Sequence, residues 1–288
     1  MNYKTLNSIY TKRVSFIVVT KNRQDDLNKL LDRLTKTKNE NDEIIVVNGG
    51  NAVISNNIVN THIKELDLSP SHAFNKGILI AKGKYIKSIS DDEKLWDNQL
   101  NRAISILDDN EDIDMLICGG IREKENNKYP FYFPPSSNYG RNLEQTAKYG
   151  VTGEGMILRH NSIPKIGLCP IGIASDGEYV IQAIYNGGNV KFCRICLFHR
   201  KSKEGDITYG DKSEVQKELI KVYKKYNILH ITKNNTKIKK ILRLILKKIF
   251  PKFYSKRQAK FKVISEDTIN YDSDLLNPKS NLWDGGFS

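Results

Sequence analysis

The sequence predicts a doubly wound α/β fold, a mostly parallel sheet with helices on both faces, and three observations carry that expectation. Short apolar, β-branched runs recur along the chain, beginning with "VSFIVV" (14–19) and "DEIIVV" (42–47). Segments with apolar residues at helical spacing alternate with them. At the end of one such run three carboxylates stand side by side in "SISDDE" (88–93), and the carboxyl ends of the strands are where a sheet of this kind receives its ligand. The acids call for explanation because the chain has a formal net charge of +13. Three adjacent like charges repel one another unless they are well solvated or share a cation.

Residues 14–19 read as a strand buried on both faces. After "TKNR" (20–23), Leu27, Leu30, Leu31 and Leu34 fall at helical spacing. The strand at 42–47 stops at "NGGN" (48–51), where two glycines permit a close turn or a close backbone approach. "HIKEL" (62–66) reads as a third strand. "SPSHAFNKGILIAKG" (69–83) reads as a helix with Pro70 in its first turn and Gly83 at its end. "KYIKSIS" (84–90) is then a strand whose tip carries the acids, followed by the helix "NQLNRAISILDD" (98–109) and the strand "DMLICGG" (114–120). From 123 to 149 the pattern breaks into a Pro- and aromatic-rich stretch that reads as a long loop, of the kind used as a binding element or lid. It resumes with "GEGMILRHNSIPKIG" (153–167), the helix "SDGEYVIQAIYNGG" (175–188) and the strand "VKFCRICLF" (190–198).

Composition narrows the class. No run of about 18 apolar residues occurs, and "MNYKTLNSIYTKR" lacks the apolar core of a signal peptide, so a cytoplasmic protein is expected. Four cysteines are too few for a disulfide framework at 288 residues. Cys193 and Cys196 have CxxC spacing with no second Cys/His pair close by, and read as packing residues rather than zinc ligands. The positive charge is concentrated: Leu219 to Ser265 holds 15 of the 46 Lys and Arg and no Asp or Glu, which leaves the rest of the chain nearly neutral.

Taken in order, "VSFIVVTKNRQDDLNKLLDRL", "DEIIVVNGG", "SPSHAFNKGILIAKGKYIKSISDDE" and "GLCPIGIASDGEYVIQAI" resemble a family 2 glycosyltransferase of the GT-A fold, from about Arg13 to Gly205. The resemblance implies an inverting enzyme that uses a nucleotide-sugar donor and Mn²⁺ or Mg²⁺. It implies that the acids form a DxD-like metal site, with Asp92 the favoured ligand and Asp91 and Glu93 its neighbours. Ser90 stands where an acid is common in the family, and Glu93 where Asp is usual. Such a cation takes hard oxygen ligands and completes its shell with phosphates and water. The competing reading is that these acids only cap the helix that follows. By the same resemblance Asp176 is the general base, with Glu178 as its understudy. Thr20, Asn22, Arg23 and Asn48 meet the nucleotide, and Asn75 and the phosphate-facing candidates His72 and Lys76 lie ahead of the acids. Many relatives have Asp at the position of Asn48, and the "NGG" turn reads equally as a plain turn. His199 is a metal ligand or a structural histidine. Glu154 and His160 lie in the region that faces donor sugar and acceptor, and Trp96 borders the acceptor cleft or the core.

The chain therefore divides into a catalytic domain at 1–205, its nucleotide-sugar part at 13–120 and acceptor part at 121–205, and a basic extension at 206–288. Within that extension Ile238, Ile241, Leu242, Ile245, Ile249 and Phe250 share one helical face of "TKIKKILRLILKKIF", with lysines and arginines elsewhere. A basic amphipathic helix of this kind lies on an anionic membrane surface; the alternative is a helix docked on the catalytic domain. The expected partners are a nucleotide sugar, a glycan acceptor, lipid-linked and belonging to bacterial surface polysaccharide (capsule or O-antigen) assembly, and the inner face of the cytoplasmic membrane, with no nucleic acid. A nucleic-acid binder with a basic tail, a nucleotidyltransferase and an inactive GT-A scaffold are the competing readings.

Overall fold

The computed structural model describes residues 10–95, 97–124, 131–133, 143–149, 151–202 and 212–229. The first half alternates as expected: β1 (Lys12–Thr20), α1 (Gln24–Thr37), β2 (Glu43–Asn48), β3 (Thr61–Lys64), α2 (Pro70–Ile80) and β4 (Gly83–Ser90). The second half continues with β5 (Glu93–Leu95), α3 (Asp97–Asp109), β6 (Met115–Lys124), β7 (Phe131–Phe133), α4 (Leu143–Tyr149), β8 (Met156–Arg159), α5 (Ile163–Ile166), α6 (Ser175–Tyr185), β9 (Val190–Ser202) and α7 (Lys212–Lys225). Two of these, β7 and α4, fall inside or at the end of the stretch expected to be a loop.

The strands join one sheet in the order β3-β2-β1-β4-β8-β6-β9-β5, with β7 on β6. Neighbours β3, β2, β1 and β4 run parallel; β8 is antiparallel to both β4 and β6, and β6 and β9 run parallel to each other. Residues of β1 alternate between two cores. Val14, Phe16 and Val18 pack with Leu27, Leu30, Leu31 and Leu34 of α1, whereas Ile17 packs with Ala73, Phe74 and Ile78 of α2 and Tyr179 of α6. This alternation is why a continuous apolar run suits the strand, since both its faces are covered. Full burial of each α1 leucine contributes about 1.5–3 kcal/mol.

Gly83 has a different role from the helix stop expected of it. The α2 helix already ends at Ile80, and Gly83 opens β4 beside β1. A Cβ there would lie 2.4 Å from the Ser15 backbone nitrogen, so only glycine allows the two strands this contact.

Helix α7 packs through Val222, with Tyr226 and Ile228 just beyond it, against Ile181 of α6 and Leu143 and Ala147 of α4. This packing carries the body past the boundary expected at 205. Among the described residues no helix is long and apolar enough to cross a membrane. The amphipathic segment with Ile238, Ile241, Leu242, Ile245, Ile249 and Phe250 lies outside the described residues, as does Trp96.

Candidate active site

Strands β1 and β4 are hydrogen-bonded parallel neighbours with Val19 opposite Ser90, so the turns that follow them meet at one edge of the sheet. Thr20 ends β1 and Arg23 lies in the turn after it, while the turn after β4 supplies Asp91 and Asp92. They line a cavity of about 1450 Å³ together with Glu154, Asp176 and Arg200.

The acids do not cap a helix: Asp91 and Asp92 form the turn between β4 and β5, and α3 begins only at Asp97. Asp91 is buried, accepts a 2.9 Å hydrogen bond from the Thr20 hydroxyl, and has Arg23 Nη1 3.1 Å from Oδ1. Burial pushes its carboxyl up to about 6, with Arg23 and the Thr20 hydroxyl pulling it back down. Asp92 Oδ2 lies between two guanidiniums, 3.3 Å from Arg23 Nη1 and 3.4 Å from Arg200 Nε. Its other oxygen, Oδ1, is buried without a hydrogen-bond partner among the described residues. Glu93 turns inward and is fully buried, 3.3 Å from the ammonium of the equally buried Lys87. Burial pushes its carboxyl up to about 7 against the pull of Lys87. The Lys87 ammonium also donates to the carbonyls of Ser88 and Glu154, the latter at 2.7 Å.

Across the cavity Asp176 is exposed in the first turn of α6, and its Oδ2 accepts a 3.0 Å hydrogen bond from the Gly153 N–H. Next to Gly153, the Glu154 carboxylate receives Arg200 Nη1 at 2.7 Å. One short turn, 153–155, thus contacts the α6 acid through its backbone and Arg200 through its side chain.

The remaining expected residues divide by where their side chains go. Asn22, with a φ of 56°, lines the cavity and accepts the Asn51 N–H through Oδ1. Asn48 is fully buried and lies outside the cavity lining: its amide donates to the Ala52 carbonyl and accepts the Gly50 N–H, the pairing of a plain turn. Asn75 is likewise consumed, its amide making both hydrogen bonds to the Cys169 backbone and fastening α2 to the 167–170 segment. Glu178 faces α7, with Lys225 Nζ at 2.7 Å and the Tyr226 hydroxyl at 3.5 Å. His199 is buried on β9 opposite Lys94 of β5 and does not line the cavity; its neighbour Arg200 does. His72 accepts the Leu68 N–H, Lys76 pairs with Glu65, and His160 bonds the Gly83 carbonyl. Cys193 packs against Cys118 with sulfurs 3.4 Å apart, as free thiols.

Two residues of this site were not anticipated. Lys87 had a signal: a lone cation in the middle of an apolar strand must find a buried partner, and the acids lie a few residues away. Arg200 had none beyond its place next to His199 at the end of a strand.

Among the described residues no three His, Cys, Asp or Glu side chains converge as a metal cage. The donor set suits instead a divalent cation that takes one or two carboxylate oxygens from the protein and the rest from phosphate and water. The buried, unpaired Oδ1 of Asp92 is the oxygen available to it.

A largely parallel α/β sheet with an acidic turn at the end of its fourth strand, facing a large cavity at the carboxyl edge, defines a GT-A fold. Residues 15–167 match the model of glycosyl transferase family 2, and the chain belongs to that family. Solved structures share the fold. Residues 1–349 of S. aureus TarS, in complex with UDP-GlcNAc, match with a TM-score of 0.55 and 17% identity over 73% of this chain and 66% of that one. The mannosyltransferase PcManGT from Pyrobaculum calidifontis, in complex with GDP-Man and Mn²⁺, matches with a TM-score of 0.55 and 16% identity over 77% and 69%. A longer TarS structure matches with a TM-score of 0.52 and 17% identity over 66% of this chain, which spans only 37% of that TarS chain. No curated protein matches the chain in sequence.

Proposed function

We propose that the protein transfers a sugar from a nucleotide-sugar donor to a hydroxyl of a glycan acceptor in a single inverting displacement. The observation that carries this reading is that Asp91 and Asp92 line the same cavity as Asp176, which stands on a separate element. At about 1450 Å³ the cavity exceeds the range of about 300–1,000 Å³ usual for a single small ligand. It has room for a donor and an acceptor together.

In this reading the acceptor hydroxyl attacks the anomeric carbon, the bond from that carbon to the diphosphate oxygen breaks, and the diphosphate leaves with the electron pair. Asp176 takes the hydroxyl proton, an oriented carboxylate being competent for that step. Its orientation comes from the Gly153 N–H. Arg23 and Arg200 present guanidiniums to the phosphates, and Thr20 holds Asp91 in place. Asp92, with Asp91 beside it, would hold Mn²⁺ or Mg²⁺, and a bound divalent cation offsets the charge of a leaving diphosphate. Support comes from the relatives of the same fold, TarS in complex with UDP-GlcNAc and PcManGT in complex with GDP-Man and Mn²⁺.

A panel of nucleotide sugars tested for thermal stabilisation with and without Mn²⁺ decides the matter. A ligand that binds only the native state raises its stability by mass action. A shift with one donor that grows with Mn²⁺ is expected; no shift with any sugar nucleotide overturns the reading.

The sequence of residues 237–250 supports a place at the membrane surface, where charge and apolar area would both favour an anionic bilayer, and with the family resemblance it favours a lipid-linked acceptor. Ile241→Asp with Ile245→Asp spares every lysine and should abolish co-sedimentation with anionic liposomes. A nucleic-acid binder would keep its phosphate-contacting bases and lose far less.

A further inference from the structure

The part of the cavity lined by the loops after β1 and β3 holds a carboxylate that the proposed chemistry does not use. Asp67 lies between β3 and α2 and lines the cavity with Lys21 and Asn22, while its side chain is only 6% exposed. Its one ion-pair partner among the described residues is Lys21, 3.8 Å away and itself more than half exposed. So loose and exposed a pair contributes little. Nor does Asp67 cap α2, because Ser69 already accepts the His72 N–H and the Leu68 N–H goes to His72.

The placement of this carboxylate is tied to the glycine turn after β2. A Cβ on Gly49 would lie 1.5 Å from Asp67 Oδ2, which is bonding distance, so the Asp67 carboxylate occupies the space where a side chain from position 49 would stand. A Cβ on Gly50 would similarly lie 2.3 Å from Asn22 Oδ1. The glycine pair therefore serves as a floor over which two polar side chains are laid from neighbouring loops. Asn48, the residue of this turn with a side chain suited to meet a ligand, has both ends of its amide engaged within the turn.

We infer that Asp67 reads the base of the nucleotide, accepting a ring N–H and so selecting uracil or guanine over cytosine and adenine. This rests on the nucleotide-sugar reading above. Across the sheet, β2 stands two strands from β4, a separation of about 10 Å at roughly 4.8 Å per strand. A nucleoside lying along this edge reaches from the Gly49 turn to the acids that face its phosphates. A carboxylate only accepts hydrogen bonds. Uracil offers N3–H, and guanine offers N1–H with its amino group. Cytosine and adenine place a ring-nitrogen lone pair at the corresponding position, and a buried acceptor facing an acceptor is penalised.

The test is calorimetric titration of the full chain with UDP, GDP, CDP and ADP in the presence of Mn²⁺. Wild type should bind UDP or GDP at least about tenfold more tightly than CDP and ADP, since a hydrogen bond to a charged group contributes about 1.5–3 kcal/mol. Asp67→Asn, which is isosteric and can present a donor, should reduce that ratio to about threefold or less. The double variant Gly49→Asp with Asp67→Gly returns a carboxylate to the same space from the other loop and should restore the ratio. Melting curves show that each variant is folded. If Asp67→Asn keeps the base preference, or weakens all four nucleotides equally as a ribose contact would, the inference is overturned while the donor reading stands. Wild type that prefers CDP or ADP overturns it in the same way, and wild type that binds no nucleotide overturns both.

Discussion

Arg23 Nη1 stands 3.3 Å from Asp92 Oδ2, joining the turn after β1 to the turn after β4. Arg200 approaches the same oxygen from β9, at 3.4 Å. The acid pair is therefore set among fixed cations in a partly buried site, where charges are weakly screened. A diphosphate entering alone meets carboxylates, and a divalent cation entering alone meets guanidiniums. Together they nearly cancel.

The first prediction is that the two ligands bind interdependently. Mn²⁺ should bind weakly alone and markedly more tightly with UDP or GDP present, read by titrating the metal with and without nucleotide. Asp92→Ala should remove the metal dependence while changing stability by only about 1 kcal/mol, because Arg23 keeps Asp91 and Asp26, and Arg200 keeps Glu154. Full transfer activity in EDTA would count decisively against a metal role for the pair.

The second concerns proton removal. Asp176→Asn keeps an oxygen able to accept the Gly153 N–H and removes the basic carboxylate. It should leave donor affinity nearly unchanged and lower kcat by a factor on the order of 10² to 10⁴. A collapse of donor affinity instead would make Asp176 a donor contact.

These residues differ in how far the sequence reveals them. Strands β1, β2 and β4 are legible because an apolar β-branched run has few other uses, and the acids at the tip of β4 stand out by their charge. Asp176 is legible as a helix-start acid in a family context. Asn48, Asn75 and Glu178 are of the right residue type, but their side chains are committed to Ala52, Cys169 and Lys225. For Asn48 the partner is local, four residues on in the glycine turn, and the sequence offered that plain turn as an equal reading. For Asn75 and Glu178 the pairings are tertiary, across more than 40 residues, and nothing local records them. Arg200 was hidden for a related reason. Which of two adjacent polar residues on a strand faces the cavity depends on register, and β9 shifts register against β6 close to this point. Asp67 is visible only once Gly49 is seen to lie beneath it.

The third prediction follows from the buried Glu93. Its carboxyl is raised from 4.5 to about 7 in the folded protein, with burial the main cause. A raised carboxyl binds its proton more tightly in the folded than in the unfolded state, so its favourable contribution is complete below its ordinary value. That contribution is lost as pH rises from about 4.5 to about 7. Glu93→Gln, which cannot ionise, should therefore gain stability relative to wild type across this window, with a slope of at most about 1.4 kcal/mol per pH unit. Denaturant melts of both proteins at pH 4.5, 6 and 7.5 test the sign independently of any fixed cost of losing the Lys87 contact. A difference that stays constant with pH would show that Glu93 is ionised throughout and paired firmly with Lys87.

The fourth prediction separates charge from shape at Arg200. Its guanidinium reaches Glu154 at 2.7 Å through Nη1 and Asp92 at 3.4 Å through Nε, and it lines the cavity. A planar fork of donors can meet two phosphate oxygens at once, whereas an ammonium acts as a point charge. Arg200→Lys keeps the positive charge that Glu154 requires, so melting should change little. Arg200→Met leaves the buried Glu154 carboxylate without this cation and should be clearly destabilising, by a few kcal/mol. If Arg200 meets the diphosphate, Arg200→Lys should weaken binding of the nucleoside diphosphate by roughly 10- to 100-fold, the equivalent of one hydrogen bond to a charged group at about 1.5–3 kcal/mol. Binding of the free nucleoside should be unaffected. Equal weakening of nucleoside and diphosphate would place the effect in the shape of the cavity, and unchanged affinity for both would confine Arg200 to holding Asp92 and Glu154 in position.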